Sequence, residues 1–259
     1  MATAKIHPTS VISTKAEIGD EVTIGPYCVI QDGVKLGKGC HLHSHVVIAG
    51  PTEIGEGNEF YSFCSIGGKT QDLKYQKEPT YLVIGNQNCF REFVTINRGT
   101  APESRTVIGS FNNLLAYAHV AHDCVVGNYC VFSNNGTLAG HVIMEDYAII
   151  GGLSAVHQFC RLGKLSIVGG CAKIVQDVPP FMIADGNPAA IRSINVVGLQ
   201  RQEFEEAVQQ DLKQAFKLLY GGNYNTTQAL DKIEAEIQPS EEIKHLIHFI
   251  RHSQRGIIR

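Results

Sequence analysis

Four residues of this 259-residue chain have the types and spacing to do chemistry: His122, Asp123, His141 and His157. A neutral imidazole, with an ordinary pKa of about 6.5, accepts a proton near neutrality and can serve as general base to a weakly acidic alcohol. The same ring ligates zinc. A third reading is a cluster of surface histidines bonded to backbone, with no chemistry at all. The choice depends on whether the chain brings together rings that lie 19 and 16 positions apart.

The elements that must do so form a repeat. From Ile108 to Pro179 the sequence divides into twelve six-residue units without insertion or deletion, each opening on Ile, Leu, Val, Phe or Met. Every sixth residue from Ile6 to Ile66 is likewise apolar, and Ile84, Phe90 and Ile96 belong to the series. Polar stretches at 67–83 and 97–107 read as excursions. A helix needs apolar spacings of three and four and an ordinary strand needs two, so a period of six predicts neither. Gly follows the leading residue in many units, which predicts a tight corner there. Short strands between regular corners make a parallel β-helix, each coil hydrogen-bonded to the coil below.

Six of the eight cysteines (Cys28, Cys40, Cys64, Cys124, Cys130 and Cys160) hold the fifth place of a unit, which elsewhere carries Ala, Ser or Val. That phase predicts small buried side chains and unpaired thiols rather than disulfides or a CxxC metal site. The formal charge of −3 provides no basic stripe for nucleic acid. No stretch approaches the roughly 20 apolar residues of a membrane span, and the N-terminal residues lack the apolar run of a signal peptide, so the expected location is cytoplasmic. After Pro179 and Pro180 the rhythm ends. Helical spacing over 199–219, 226–237 and 240–254, the last with Ser240 as N-cap, predicts a small helical domain. The expected division is therefore 1–190 and 191–259.

The hexads resemble the left-handed β-helix of the bacterial hexapeptide-repeat acyltransferases. A sharper resemblance lies in Gln71-Asp-Leu-Lys-Tyr75, Ala118-His-Val-Ala-His-Asp123, Leu138-Ala-Gly-His141, Ala155-Val-His-Gln-Phe-Cys160 and Val168-Gly-Gly-Cys171, followed by the helical tail. Together these look like the UDP-N-acetylglucosamine O-acyltransferase family. The implied fold is mainly β, a left-handed parallel β-helix of hexapeptide repeats followed by a small α-helical C-terminal domain. The implied reaction moves a 3-hydroxyacyl chain from acyl carrier protein to the 3-hydroxyl of UDP-N-acetylglucosamine, the first step of lipid A synthesis, without metal or cofactor, in a homotrimer.

Three hexads per coil, as in that family, stack position 141 over 123 and position 157 over 121, with His122 between, at about 4.8 Å per step. The resemblance makes His122 the base, Asp123 its orienting partner and the Gly140 N–H the donor to the tetrahedral oxygen. It assigns His119, His141, His157 and Gln158 to substrate placement, and Asn195 and Arg201 to the uridine diphosphate. Asp72 and Lys74, from the first excursion, would reach a neighbouring subunit. Where the family has a carboxylate two residues after Asn195, this chain has Val197. Asn134, Gly152 and Gly170 also coincide at 18-residue steps and form the expected acyl groove. Arg161, Lys164, Lys173 and Arg192 are candidates for a basic landing site for the carrier. Two rivals are an N-acyltransferase on an amino sugar nucleotide and a non-catalytic carrier-binding scaffold. His7, His41, His43 and His45 have no expected role.

Overall fold

The computed structural model describes residues 3–259, and a three-faced parallel β-helix dominates it. The first face carries eleven strands, the second nine and the third eight, and neighbours within a face come from successive coils. Lys5 pairs with Thr23, Val11 with Val29 and Glu17 with Lys35, each a step of 18 residues. The step widens to 30 across the first excursion, where Glu59 pairs with Cys89, and to 24 across the second, where Cys89 pairs with Asn113. It returns to 18 at Asn113 and Val131. The excursions are shorter than expected because Ser65–Gly68, Tyr81–Ile84, Thr95–Asn97 and Arg105–Ile108 are strands.

The leading residue of each hexad fills the interior. From Ile24 onward these side chains are essentially inaccessible, and Phe60 and Phe90 stack at 4.8 Å with their planes 8° apart. The six fifth-place cysteines are buried and unpaired. Burial pushes the thiols of Cys64, Cys124 and Cys130 up to about 12, so these groups pack as hydrophobes. At the corner between the third and first faces three successive coils, between those of Cys40 and Cys130, carry Asn58, Asn88 and Asn112 at the fifth place, all buried. The Asn88 amide donates to Asn58 Oδ1 at 2.9 Å and to the Gly109 carbonyl at 3.0 Å, while its own oxygen accepts from the Asn112 N–H at 2.8 Å. An amide ladder thus ties successive coils together.

The second-place glycines do not make the corner. Apart from Gly67, at φ 74°, none of them has a positive φ; what each lacks is room, since a Cβ on Gly37 would lie 2.5 Å from the Gly55 carbonyl oxygen. The left-handed residue is at the fourth place, including Tyr27, Phe63, Phe93, Tyr117 and Asp123. Such a conformation is costly for bulky side chains. Here their rings stack coil on coil, Phe63 on Phe93 at 5.0 Å and Phe93 on Tyr117 at 4.8 Å.

The helix continues past Pro180. Met182–Gly186 pairs in parallel with the strand at Ile167, then turns back antiparallel into Ala189–Ile194, so the sheet runs beyond residue 190. Helices α1 (Val196–Arg201), α2 (Glu206–Tyr220), α3 (Thr226–Glu236) and α4 (Glu241–Arg251) follow. The single helix expected over 199–219 is two. The chain leaves helical geometry near Glu203, at φ 56°, and Phe204 meets the ring of Phe181 at 6.2 Å. Ser240 does cap α4, accepting from the Ile243 N–H. The tail docks through polar bonds: Asp177 accepts from the Arg161 N–H and the Ser253 hydroxyl, and His245 meets Glu145 at 2.7 Å.

Replacing Asn88 with Ala orphans the buried Asn112 N–H and removes a donor to Gly109. Each such loss costs about 1–3 kcal/mol, so Asn88→Ala should lower stability by roughly 2–4 kcal/mol in a denaturant titration. An unchanged midpoint would show that the ladder does not hold the coils.

Candidate active site

His122 and Asp123 occupy the corner between the second and third faces, just after the strand His119–Val120. Adjacent residues of a strand point to opposite sides. Asp123 escapes that rule because its φ of 59° turns the chain, an arrangement aspartate tolerates better than most residues. His122 Nδ1 lies 2.8 Å from Asp123 Oδ2, and the two side chains are only 12% and 8% exposed.

The second excursion holds the carboxylate, and the first is tied to the second. The Thr100 N–H donates to its two oxygens at 3.2 and 3.1 Å, and the Asp123 N–H donates to the Thr106 hydroxyl at 2.8 Å. The Thr100 hydroxyl in turn donates to that of Thr70, at the root of the first excursion. Burial acts to raise the Asp123 pKa, but Ser104, His122, the Thr100 N–H and the charge on His141 outweigh it and hold the carboxyl below its ordinary range. An ionised carboxylate only accepts hydrogen bonds, so the ring carries its proton on Nδ1. That leaves the Nε2 lone pair free to accept another.

Gly140 lies against the same ring, one coil on. A Cβ there would come within 2.4 Å of His122 Cε1 and 2.6 Å of Nε2, so glycine is what gives the imidazole its place. Among the described residues the Gly140 N–H has no hydrogen-bond partner. His141 meets His122 edge-on at 5.2 Å, its Nε2 lies 3.7 Å from Asp123 Oδ2, and its ring stacks on Phe159 at 4.7 Å. His157 and Gln158 are exposed one coil further along the same corner. His119, on the adjoining strand, bonds Thr95 through Nδ1 at 2.7 Å. Burial drives its pKa below the ordinary value, and charge on His122 acts the same way. The ligand atoms of His122, Asp123 and His141 lie within 4.8 Å of one another, close enough to hold a metal ion, although His122 Nδ1 and Asp123 are already bonded to each other.

The other expected residues sit elsewhere in this chain. Arg201 and Asn195 line a cleft of about 210 Å³ with Val197, Tyr129, Tyr147 and Leu165, at the corner between the third and first faces. Asn195 is buried and caps α1, accepting from the Gly198 N–H and donating to the Leu165 carbonyl. Asn134, Gly152 and Gly170 do stack, a Cβ on Gly152 having room 3.4 Å from the Asn134 carbonyl oxygen and one on Gly170 3.5 Å from that of Gly152, but at the corner between the first and second faces. The second face therefore separates that groove from the histidine strip. Asp72 accepts from the Lys74 N–H at 2.9 Å in the first excursion, whose tip, Leu73, is fully exposed. Arg161 does not belong to an open basic surface: it is pinned between Glu145 and the ring of Phe249. Thr100 was missed in the sequence because its pairing to Asp123 depends on the path of the second excursion, which the hexad count leaves open; Thr106 was missed because its polar stretch reads as excursion, whereas it lies on the strand Arg105–Ile108, one regular coil from Asp123.

A β-helix of hexads with a histidine–aspartate pair on one corner defines a transferase of the hexapeptide class. Residues 15–50 match the family described as bacterial transferase hexapeptide (six repeats), and residues 177–258 match UDP N-acetylglucosamine O-acyltransferase, domain 2. Over 99% of its length the chain is 47% identical to the acyl-[acyl-carrier-protein]–UDP-N-acetylglucosamine O-acyltransferase of Thiobacillus denitrificans, covering all of that protein. It is 50% identical to the protein so named in Aliivibrio fischeri, over 99% of this chain and 98% of that one. Among solved structures, the UDP-N-acetylglucosamine acyltransferase of Bacteroides fragilis superposes with a TM-score of 0.96 at 39% identity, covering 98% of this chain and 100% of that one. The chain belongs to the UDP-N-acetylglucosamine O-acyltransferase family.

Gly140→Ala should drive the His122 ring away from Asp123. A crystal structure of the variant should show the 2.8 Å contact lengthened beyond hydrogen-bond distance; an undisturbed pair would mean that the fit of ring to glycine is not what positions the imidazole.

Proposed function

We propose that this chain transfers a 3-hydroxyacyl group from acyl carrier protein to the 3-hydroxyl of UDP-N-acetylglucosamine, opening lipid A synthesis, with His122 as general base. The observation that carries the mechanism is the pair His122–Asp123 with the bare backbone of Gly140 beneath the ring. His122 Nε2 takes the proton from the sugar hydroxyl as its oxygen attacks the thioester carbonyl. The Asp123 carboxylate stabilises the imidazolium that forms. The Gly140 N–H donates to the oxyanion of the tetrahedral intermediate, a donor fixed between two coils that needs little reorganisation. Collapse expels the carrier thiolate, which takes the proton back from the imidazolium, so the base is regenerated.

His119, held largely neutral by burial, and His141, His157 and Gln158 line the approach to the base. Arg201 suits a diphosphate because its planar fork can donate two parallel bonds. Its cleft and the dyad are on different corners. One nucleotide sugar reaching both is best accounted for by a homotrimer in which neighbouring chains share a site, Asp72 and Lys74 crossing from the first excursion. Asn134, Gly152 and Gly170 then form the acyl groove, with Gly170 leaving room for a long chain. No helix among the described residues is long and apolar enough to cross a membrane. That fits reaction between two water-soluble substrates in the cytoplasm.

The decisive assay uses purified protein, UDP-N-acetylglucosamine and 3-hydroxyacyl carrier protein. His122→Ala should cut turnover by about 10²–10⁴-fold, the usual worth of a general base; a variant as active as the parent would remove His122 from the mechanism. In the same assay Gly170→Met should move the preference toward shorter acyl chains. The same length profile in both proteins would sink the groove assignment.

A further inference from the structure

His41, His43 and Glu59 form a second cluster of chemically active side chains, which the transferase reaction does not use. His41 and Glu59 are Cα partners on successive strands of the first face, and His43 begins the corner that follows. This corner joins the first and second faces, whereas the dyad lies between the second and third. His43 Nε2 is 2.8 Å from Glu59 Oε1, and His41 Nδ1 is 3.9 Å from the same oxygen. The two imidazoles stack at 4.3 Å. Tyr61 covers the other side of His43 at 4.5 Å, and the Arg91 guanidinium lies 4.3 Å over Tyr61.

We propose that His41, His43 and Glu59 bind a divalent transition-metal ion of the zinc class. All three ligand atoms lie within 4.8 Å of one another. Tetrahedral zinc with bonds of about 2.0–2.2 Å requires its ligand atoms about 3.3–3.5 Å apart, between the 2.8 and 3.9 Å separations of the two histidines from Glu59. All three side chains are a third to a half exposed and so have room to shift until the site closes. Two imidazoles and one carboxylate suit zinc in ligand type, and the fourth position is left to water.

The alternative occupant of this geometry is a proton. Protonated on both rings, the stacked pair would place two positive charges face to face with one carboxylate between them. Burial, aided by charge on His43 and opposed by Glu59, holds the His41 pKa below its ordinary value. Metal binding displaces the proton shared by His43 and Glu59. Because the ligands come from two successive coils, the ion would clip those coils together below the first excursion.

The test is calorimetric titration of chelator-treated protein with zinc chloride. One zinc per chain is expected, with affinity reduced at least tenfold in His43→Gln and in Glu59→Gln and retained in His141→Gln. Cobalt(II) in place of zinc should give the visible absorption of a four- or five-coordinate site, lost in His43→Gln. Metal-free wild type and His43→Gln should share one melting temperature, and zinc should raise that of the wild type alone. Absence of stoichiometric uptake by the wild type would overturn the proposal. So would uptake that survives His43→Gln and disappears in His141→Gln, which would assign the ion to the His122 corner.

Discussion

Every functional feature of this chain depends on one constraint: each coil must sit in register on the coil before it. The strand N–H groups satisfy it directly, as in His41 to Asn58, Val47 to Cys64 and His119 to Gly136, at 2.8–3.0 Å. Two less obvious devices protect it. The second-place glycines let carbonyl oxygens of adjacent coils approach where a methyl group would collide. The asparagine ladder at the corner between the third and first faces gives a buried polar side chain the same translation as the backbone. A buried amide is tolerated only when fully bonded, so the ladder penalises any slip of one coil against the next.

Register is also what turns a corner into a site. His122 is held from the preceding excursions through Asp123 and from the following coil through Gly140, so its ring is fixed from both ends of the stack. A loop would have to pay for such order each time substrate binds. Here the order comes with folding, and the first and second excursions are tied to it through Thr70 and Thr100. The segment expected to reach substrate on a neighbouring chain is thereby anchored to the Asp123 carboxylate.

What the sequence made legible was whatever follows from period and phase. The apolar column, the buried cysteines and the alignment of His122, His141 and His157 needed only residue positions modulo six and eighteen. Contacts that cross a change of step were hidden. Asp123 meets Thr100 because the second excursion lengthens its coil to 24 residues, and nothing in the hexad count says how those extra residues fold back. Thr106 lies one regular coil from Asp123 but within a polar stretch that reads as excursion. Chemistry was misread where one residue type has two uses. The second-place glycines looked like turn formers and prove to be contact residues, while the left-handed turn falls to fourth-place aromatics whose stacking on the next coil offsets its cost. Arg161 looked like surface charge and instead helps seal the tail to the β-helix.

The same coordinate system explains why a single chain separates what the proposed reaction must unite. With three faces and one helical sense, residues six positions apart in phase are always on different corners, and no adjustment of side chains brings them together. The dyad, the cleft around Arg201 and the stack of Asn134, Gly152 and Gly170 each take one corner. A β-helix is too stiff to close around a ligand as hinged domains do. Its remaining route to a two-sided cleft is to set the corner of one copy against a different corner of another, and a closed ring of three does so with every copy equivalent. On this view oligomerisation is the step that completes the site, and the rigidity that positions His122 so closely is the reason a second chain is needed.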